Sequence, residues 1–151
     1  MPNWCYNRVR IDADSDQVEQ LKEIYEIFEN HSDPFNQILP IPDFKNIPNE
    51  KGELPKLEQR LNPDGSVFYE TYNFPDGKND DRWYHWCIEN WGTKWDVSEL
   101  GIEYDEESLE LTFSTAWSPP EGIMQELKDK YPDLGFSCFY DEPGMEIAGY
   151  Y

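Results

Sequence analysis

An α+β fold is predicted by the order in which strand-like and helix-like stretches follow one another in this chain of 151 residues. Residues 3–11 and 109–115 alternate with a period of two, as half-buried strands require, and residues 97–104 and 134–140 read as further strands. Apolar residues recur with a helical period over residues 16–30 and again after Pro120. A stretch rich in proline and glycine, residues 33–80, separates the first helix from the remainder. Setting aside that insertion and the tryptophan-rich helix behind it, the order is strand, helix, strand, strand, helix, strand. This is the ferredoxin-like split β-α-β sandwich, an antiparallel sheet with helices on one face. The prediction is one ferredoxin-like domain over residues 1–151, with the insertion after the first helix and a C-terminal hairpin strand. The length is enough to bury a sizeable core.

In the first strand, Cys5, Asn7, Val9 and Ile11 alternate with Trp4, Tyr6, Arg8 and Arg10. The first set faces the core, which makes Asn7 a buried amide in need of partners. Asp14 and Gln17 match a capping box ahead of the first helix. Val18, Leu21, Tyr25 and Phe28 form its apolar stripe, opposite Glu19, Glu23 and Glu26. His31-Ser32-Asp33-Pro34 stops that helix, and residues 35–39 allow one further turn before Pro40-Ile41-Pro42. In the insertion, Asn62-Pro63-Asp64-Gly65 is a turn and residues 66–73 a short strand. Its few aliphatic residues cannot fill a separate core, so it reads as an elaboration of one domain.

Residues 83–96 hold four of the six tryptophans. Asp80 and Asp81 precede them, where carboxylates favour a helix start. Trp83, Trp86, Cys87, Asn90 and Trp91 share a helical face, and Gly92 stands where a left-handed residue ends a helix. After the strand at 97–104, Asp105-Glu106-Glu107-Ser108 is a hairpin turn. Leu109, Leu111, Phe113 and Thr115 follow with strand alternation. Trp117-Ser118-Pro119-Pro120 ends that strand and opens a helix striped by Ile123, Met124, Leu127 and Tyr131. Pro143-Gly144 turns the chain into a last strand at 145–148. The aromatic residues admit two readings. In the first, Trp86, Trp91 and Trp117 are core, and Asn7, Asn90 and Asp96 bond backbone or indole N–H groups. In the second, Asn7, Trp86, Asn90, Trp91, Lys94, Trp95, Asp96, Trp117, Asp141 and Glu142 line an aromatic pocket for a base or a cation near the central helix.

Four motifs resemble one family. They are Met-Pro-Asn-Trp-Cys-Tyr-Asn-Arg at residues 1–8 and Trp-Cys-Ile-Glu-Asn-Trp-Gly-Thr-Lys-Trp-Asp at 86–96. The others are Thr-Ala-Trp-Ser-Pro-Pro at 115–120 and Tyr-Asp-Glu-Pro-Gly-Met at 140–145. Together they resemble an uncharacterised family with a YubB-type ferredoxin-like domain, found in bacterial, plasmid and phage genes. Tyr6 stands where that family usually has Glu. The resemblance implies a ferredoxin-like fold and a mobile-element context. It implies no activity and carries over no catalytic residue.

Charge bounds the function. The sequence has 32 acidic and 12 basic side chains, a net charge of -20. A polyanion repels DNA, RNA and anionic membranes, so direct nucleic-acid and membrane binding are not expected. A basic protein surface is the expected partner: a nuclease, a repressor or a CRISPR component. Asp12, Asp14, Asp16, Glu19, Glu23 and Glu26 form one candidate acidic face, and Glu103, Asp105, Glu106 and Glu107 another. Such surfaces imitate DNA phosphates. Three widely spaced cysteines, Cys5, Cys87 and Cys138, read as reduced thiols in a cytoplasmic protein, with no metal or cofactor expected. No secretory or membrane-spanning pattern occurs. An enzyme would use Asp96 or Glu142 as general base and Lys94 as electrostatic stabiliser. No nucleophile–base pair has the required spacing, because His85 and Cys87 point to nearly opposite sides of a helix. The expectation is a non-enzymatic, acidic interaction protein, a DNA mimic with an anti-defence role. The alternative is a small-ligand-binding protein or enzyme with an aromatic pocket.

Overall fold

The computed structural model describes residues 2–151. The chain divides into two compact units, one of Met1–Pro40 with Cys87–Tyr151 and one of Ile41–Trp86.

The first unit is built on β1 (Trp4–Asp12), whose side chains alternate strictly between a buried and an open face. Helix α1 (Val18–Asn30) and the single turn α2 (Pro34–Ile38) follow. The second unit contributes β2 (Lys56–Leu61), β3 (Val67–Asn73) and the first half of α3 (Arg82–Asn90). The chain then returns as β4 (Ser98–Asp105), β5 (Ser108–Ala116), α4 (Glu121–Lys130), β6 (Gly135–Glu142) and β7 (Ile147–Tyr150). The five-stranded sheet has the order β4-β5-β1-β6-β7, and every pair is antiparallel. Without β7, the order is that of the ferredoxin-like fold, with the first strand between the third and the fourth.

Register explains which residues form the core. Asn7 lies opposite Phe113 on one side and Tyr140 on the other, and Val9 opposite Leu111 and Cys138. Cys5, Val9, Ile11, Leu109, Leu111 and Cys138 are therefore on one face and buried. Leu21, Ile24 and Phe28 of α1 and Ile123, Met124 and Leu127 of α4 are buried with them. Each such side chain contributes roughly 1.5–3 kcal/mol on leaving water. The opposite sheet face carries Tyr6, Arg8, Arg10 and Thr112, all exposed.

Several boundaries differ from the sequence reading. Helix α1 starts at Val18, two residues late, and its buried stripe is Leu21, Ile24 and Phe28. Tyr25 is instead half-buried and stacks flat on Tyr104, 4.0 Å between ring centres. Only half of the capping box forms: the Asp14 N–H donates to Gln17 Oε1 at 3.4 Å. The one-turn helix belongs to the first unit, because Pro34 and Phe35 are core residues. Phe35 meets Trp91 and Phe113 edge-on at 5.8 Å. The last strand begins at Ile147, since residues 143–146 make a turn with Glu146 at φ 57°.

In the second unit, β2 and β3 form a two-stranded antiparallel sheet. The sequence reading found β3 but not β2, whose six residues are all exposed and so carry no alternation. Ile47, Leu54, Leu57, Leu61 and Val67 are exposed as well. A polar clasp stands where an aliphatic core is missing. The Arg82 guanidinium lies 5.1 Å from the Phe44 ring centre and 5.2 Å from that of Phe74. It donates to Asp80 at 2.8 and 2.9 Å and to the Phe44 carbonyl at 2.7 Å. Cation–π contact and a forked ion pair thus act on one side chain.

Candidate functional site

The tryptophan motif and the Trp-Ser-Pro-Pro motif meet in one junction. Gly92 ends α3 with φ 91°, the left-handed conformation expected of it. The Ser118 hydroxyl donates to the Gly92 carbonyl at 2.5 Å and the Thr93 hydroxyl to the Ala116 carbonyl at 2.9 Å. The Gly122 N–H donates to the Trp91 carbonyl at 3.0 Å. Trp91 is buried and its indole N–H reaches the Leu39 carbonyl at 2.8 Å. These residues join the end of α3 to the start of α4, a structural task.

Asn7 and Asp96 are tied into the fold. The Asn7 amide donates to the Cys5 carbonyl at 3.1 Å and to the Thr115 hydroxyl at 2.9 Å, and Asn7 Oδ1 accepts from the Tyr151 hydroxyl at 2.8 Å. Asp96 accepts from the N–H groups of Phe35, Asn36 and Val97 at 3.1, 3.1 and 2.9 Å. It holds the start of α2. Burial pushes its carboxyl above the usual aspartate value, more than those N–H bonds pull it down. Glu142 is fully buried. One oxygen accepts from the Met145 N–H at 2.7 Å and the other has no partner within the protein. Burial pushes the thiols of Cys5 and Cys87 up to about 11, far from a reactive thiolate.

The remaining pocket candidates differ in burial. Trp86 is half-buried, while Asn90, Trp95 and Trp117 are exposed, so Trp117 is not the core residue expected. Its position explains this: it follows Ala116 out of the sheet with φ 70°, its N–H held by the Asn3 carbonyl at 2.9 Å. Lys94 lies over the Trp95 ring at 4.1 Å, and Trp95 packs against Trp4 at 6.3 Å. Asp141 and Glu142 alternate along β6, so Asp141 is exposed and Glu142 faces the core.

A cavity does exist on the open sheet face. It measures about 380 Å³ and is lined by Tyr6, Asn7, Arg8, Glu99, Thr112, Phe113, Ser114, Phe139 and Asp141. A recess of about 130 Å³, lined by Trp4, Tyr6, Ser98, Glu99 and Ser114, shares three of these residues. Tyr6 is 51% exposed and lies opposite Asp141 on one side and Ser114 on the other. Glu99 has φ 53° at the register shift between Ser98 and Gly101, strained for a residue with a side chain. Among the described residues no group of three or more His, Cys, Asp or Glu is placed to hold a metal.

The two acidic faces meet. Asp12 lies opposite Ser108, and the Ala13 N–H donates to the Glu107 carbonyl at 2.9 Å, so the approach to α1 runs along the β4–β5 turn. The Tyr25–Tyr104 stack joins α1 to β4. Asp12, Asp14, Asp16, Glu19, Glu23, Glu26, Glu103, Asp105, Glu106 and Glu107 are all exposed. Among the described residues only Asp12 of these forms an ion pair, with Arg10 at 3.2 Å. Asp105 also accepts from the N–H groups of Glu107 and Ser108 at 2.9 Å, which shapes the turn. Glu23 accepts from the Tyr131 hydroxyl at 2.9 Å.

Comparison with known proteins matches this architecture. Residues 90–151 match the family model of the ferredoxin-like domain in Api92-like protein. The crystal structure of a protein api92 from Yersinia pseudotuberculosis is similar over 99% of this chain and 93% of that one. The TM-score is 0.55 and the identity 12%, a likeness of fold. No curated protein matches the chain.

The Api92-like match spans the junction partners Trp91, Gly92, Ser118 and Gly122, and also Glu99, Thr112, Phe139 and Asp141 of the open-face cavity. Glu99, Thr112, Ser114 and Phe139 were not singled out by the sequence reading. The available signal was Tyr6 and Arg8, the outward members of the β1 alternation, which identify the strand face that other residues share. No helix among the described residues is long and apolar enough to cross a membrane.

Proposed function

We propose that the protein is a non-enzymatic, acidic interaction module that docks on a basic protein surface and imitates the phosphates of DNA there. The continuous acidic surface carries this reading. The β4–β5 turn and the approach to α1 lie side by side through the Ala13–Glu107 bond, and Glu19, Glu23 and Glu26 extend the charge along α1. Those three span a stripe about 10 Å long. A cleft of lysine and arginine built for a nucleic-acid backbone would accept such a surface. The resemblance to the YubB-type family supports a bacterial, plasmid or phage setting. The partner would then be a nuclease, a repressor or a CRISPR component met in the cytoplasm. The acidic surface is itself disfavoured on nucleic acid and anionic membranes.

The test is capture of a basic partner from host lysate at low and high salt, by the native protein and by the Glu19→Gln, Glu23→Gln, Glu26→Gln triple variant. The native protein is expected to bind quickly and to lose its partner as salt rises. The variant should fold normally, because the stripe is exposed and a glutamine at position 23 can still accept from the Tyr131 hydroxyl, and bind markedly less. Equal capture by both proteins, with the same salt dependence, would remove α1 from the interface. The cavity over Tyr6 favours a second reading, a binding site for a small ligand on the sheet face.

A further inference from the structure

We propose that the groove over Tyr6 seats one arginine side chain of the partner, its guanidinium lying on the Tyr6 ring between the carboxylates of Glu99 and Asp141. This deepens the reading of the chain as a module for basic protein surfaces and rests on it for the identity of the guest.

Shape and charge select the guest. The groove of about 380 Å³ and its adjoining recess of about 130 Å³ have Tyr6 and Glu99 in common. Asp141 lies directly across from Tyr6 in the β1–β6 register. Among the described residues neither Glu99 nor Asp141 is in an ion pair or accepts a hydrogen bond through its side chain, so their charge is available to a guest. Glu99 holds φ 53° where a glycine would be unstrained. That strain is retained at the position which brings the second carboxylate to the groove. A nucleobase would also stack on Tyr6, but its phosphates would meet these carboxylates in a protein of net charge -20.

The same surface already holds a guanidinium of its own. Arg8 lies 6.0 Å from the Phe139 ring centre and 3.9 Å from Glu110. Both contacts are long and the Arg8 side chain stays 61% exposed, so the groove holds two carboxylates, Glu99 and Asp141, against one guanidinium. Arginine fits this groove better than lysine. Its flat, weakly hydrated head stacks on a ring and presents N–H groups in its plane to carboxylates on either side.

The probe is N-acetyl-arginine-methylamide, titrated into the full chain at physiological salt and followed by NMR. Its neutral isostere, the citrulline compound, is the control. The arginine probe is expected to shift the Tyr6 ring and the Glu99 and Asp141 signals saturably, and the citrulline probe is expected not to. Tyr6→Ala and Asp141→Asn should each weaken binding by about fivefold or more, and Tyr6→Phe should retain it. Both positions are exposed, so melting curves of these variants should match the native protein. Equal responses to the two probes would overturn the proposal. So would shifts confined to Asp12–Asp16 and Glu19, or a Tyr6→Ala protein that binds unchanged. Loss of the partner by the α1 triple variant, with a groove that ignores arginine, would sink this inference alone. A groove that takes arginine, with unaltered partner capture by the triple variant, would sink the acidic-face reading alone.

Discussion

Gly122→Ala separates helix propensity from packing, because the two predict opposite signs. Gly122 is in the first turn of α4, and alanine in a helix is ordinarily favoured over glycine by about 1 kcal/mol. Here an added Cβ would overlap the Asn90 carbonyl oxygen, and would lie 2.7 Å from the Asn90 carbonyl carbon and 3.2 Å from that of Trp91. Carbon atoms rest at roughly 3.5 Å or more, so the two backbones must part by about 1 Å. That movement stretches the 3.0 Å bond from the Gly122 N–H to the Trp91 carbonyl. Overpacking costs roughly 1–3 kcal/mol and the lost bond about 1, against about 1 gained in propensity. The expected net loss is about 1–3 kcal/mol, a fall of roughly 2–12 °C in the melting midpoint at this chain length. Thermal unfolding followed by tryptophan fluorescence reads this directly. Gly65→Ala is the comparison: its φ is 90° but nothing lies within 4 Å of the added carbon, so only backbone strain is tested. A Gly122→Ala protein that melts at or above the native midpoint would refute the close approach of the two helix ends.

Two further outcomes are expected. Arg82 holds the Asp80 carboxyl below its ordinary value of 3.8, so the stability it contributes is complete above that value and disappears as pH falls through the lowered one. Protection of β2 and β3 against hydrogen exchange, taken relative to the intrinsic rate at each pH, should fall in that acid window, and Asp80→Asn should remove the step while weakening protection at neutral pH; an unchanged acid profile would contradict the clasp. Tyr151→Phe should cost about 1–2 kcal/mol by leaving Asn7 Oδ1 without its donor. Burial pushes the Tyr151 phenol above its ordinary value of 10, so its contribution is complete below that pH and is lost as pH rises beyond it. The stability gap between native and variant protein, measured by urea unfolding, should therefore narrow above pH 10; a constant gap would count against a buried phenol.

The sheet was legible because its alternation is nearly perfect. Cys5, Asn7, Val9 and Ile11 announce one face, Leu109, Leu111, Phe113 and Thr115 the same face one strand away, and both sets are buried. Asn7 and Asp96 were legible as polar residues in service of the fold, since a buried amide or carboxylate must find partners. Strand β2 was not legible, because all six residues are exposed and only cross-strand pairing defines it. Trp117 was misjudged for a related reason. Large apolar area predicts burial on average, but a left-handed backbone immediately after Ala116 turns this ring outward. The groove is assembled from four strands drawn from both ends of the chain, and Glu99 enters it through a local bulge. Spacing along the chain carries no record of either.

The bulge at Glu99 has a bearing on how other chains can approach. An open sheet has two rims where unpaired N–H and C=O groups invite a foreign strand, the route to runaway polymerisation. At one rim β4 breaks its register between Ser98 and Gly101 and carries Glu103 and Asp105 beyond the break. At the other, β7 has only four residues. Neither rim offers a long, flat, uncharged template. Any contact with another chain is thereby left to the broad side of the sheet, where it would depend on side chains instead of on backbone that every protein shares.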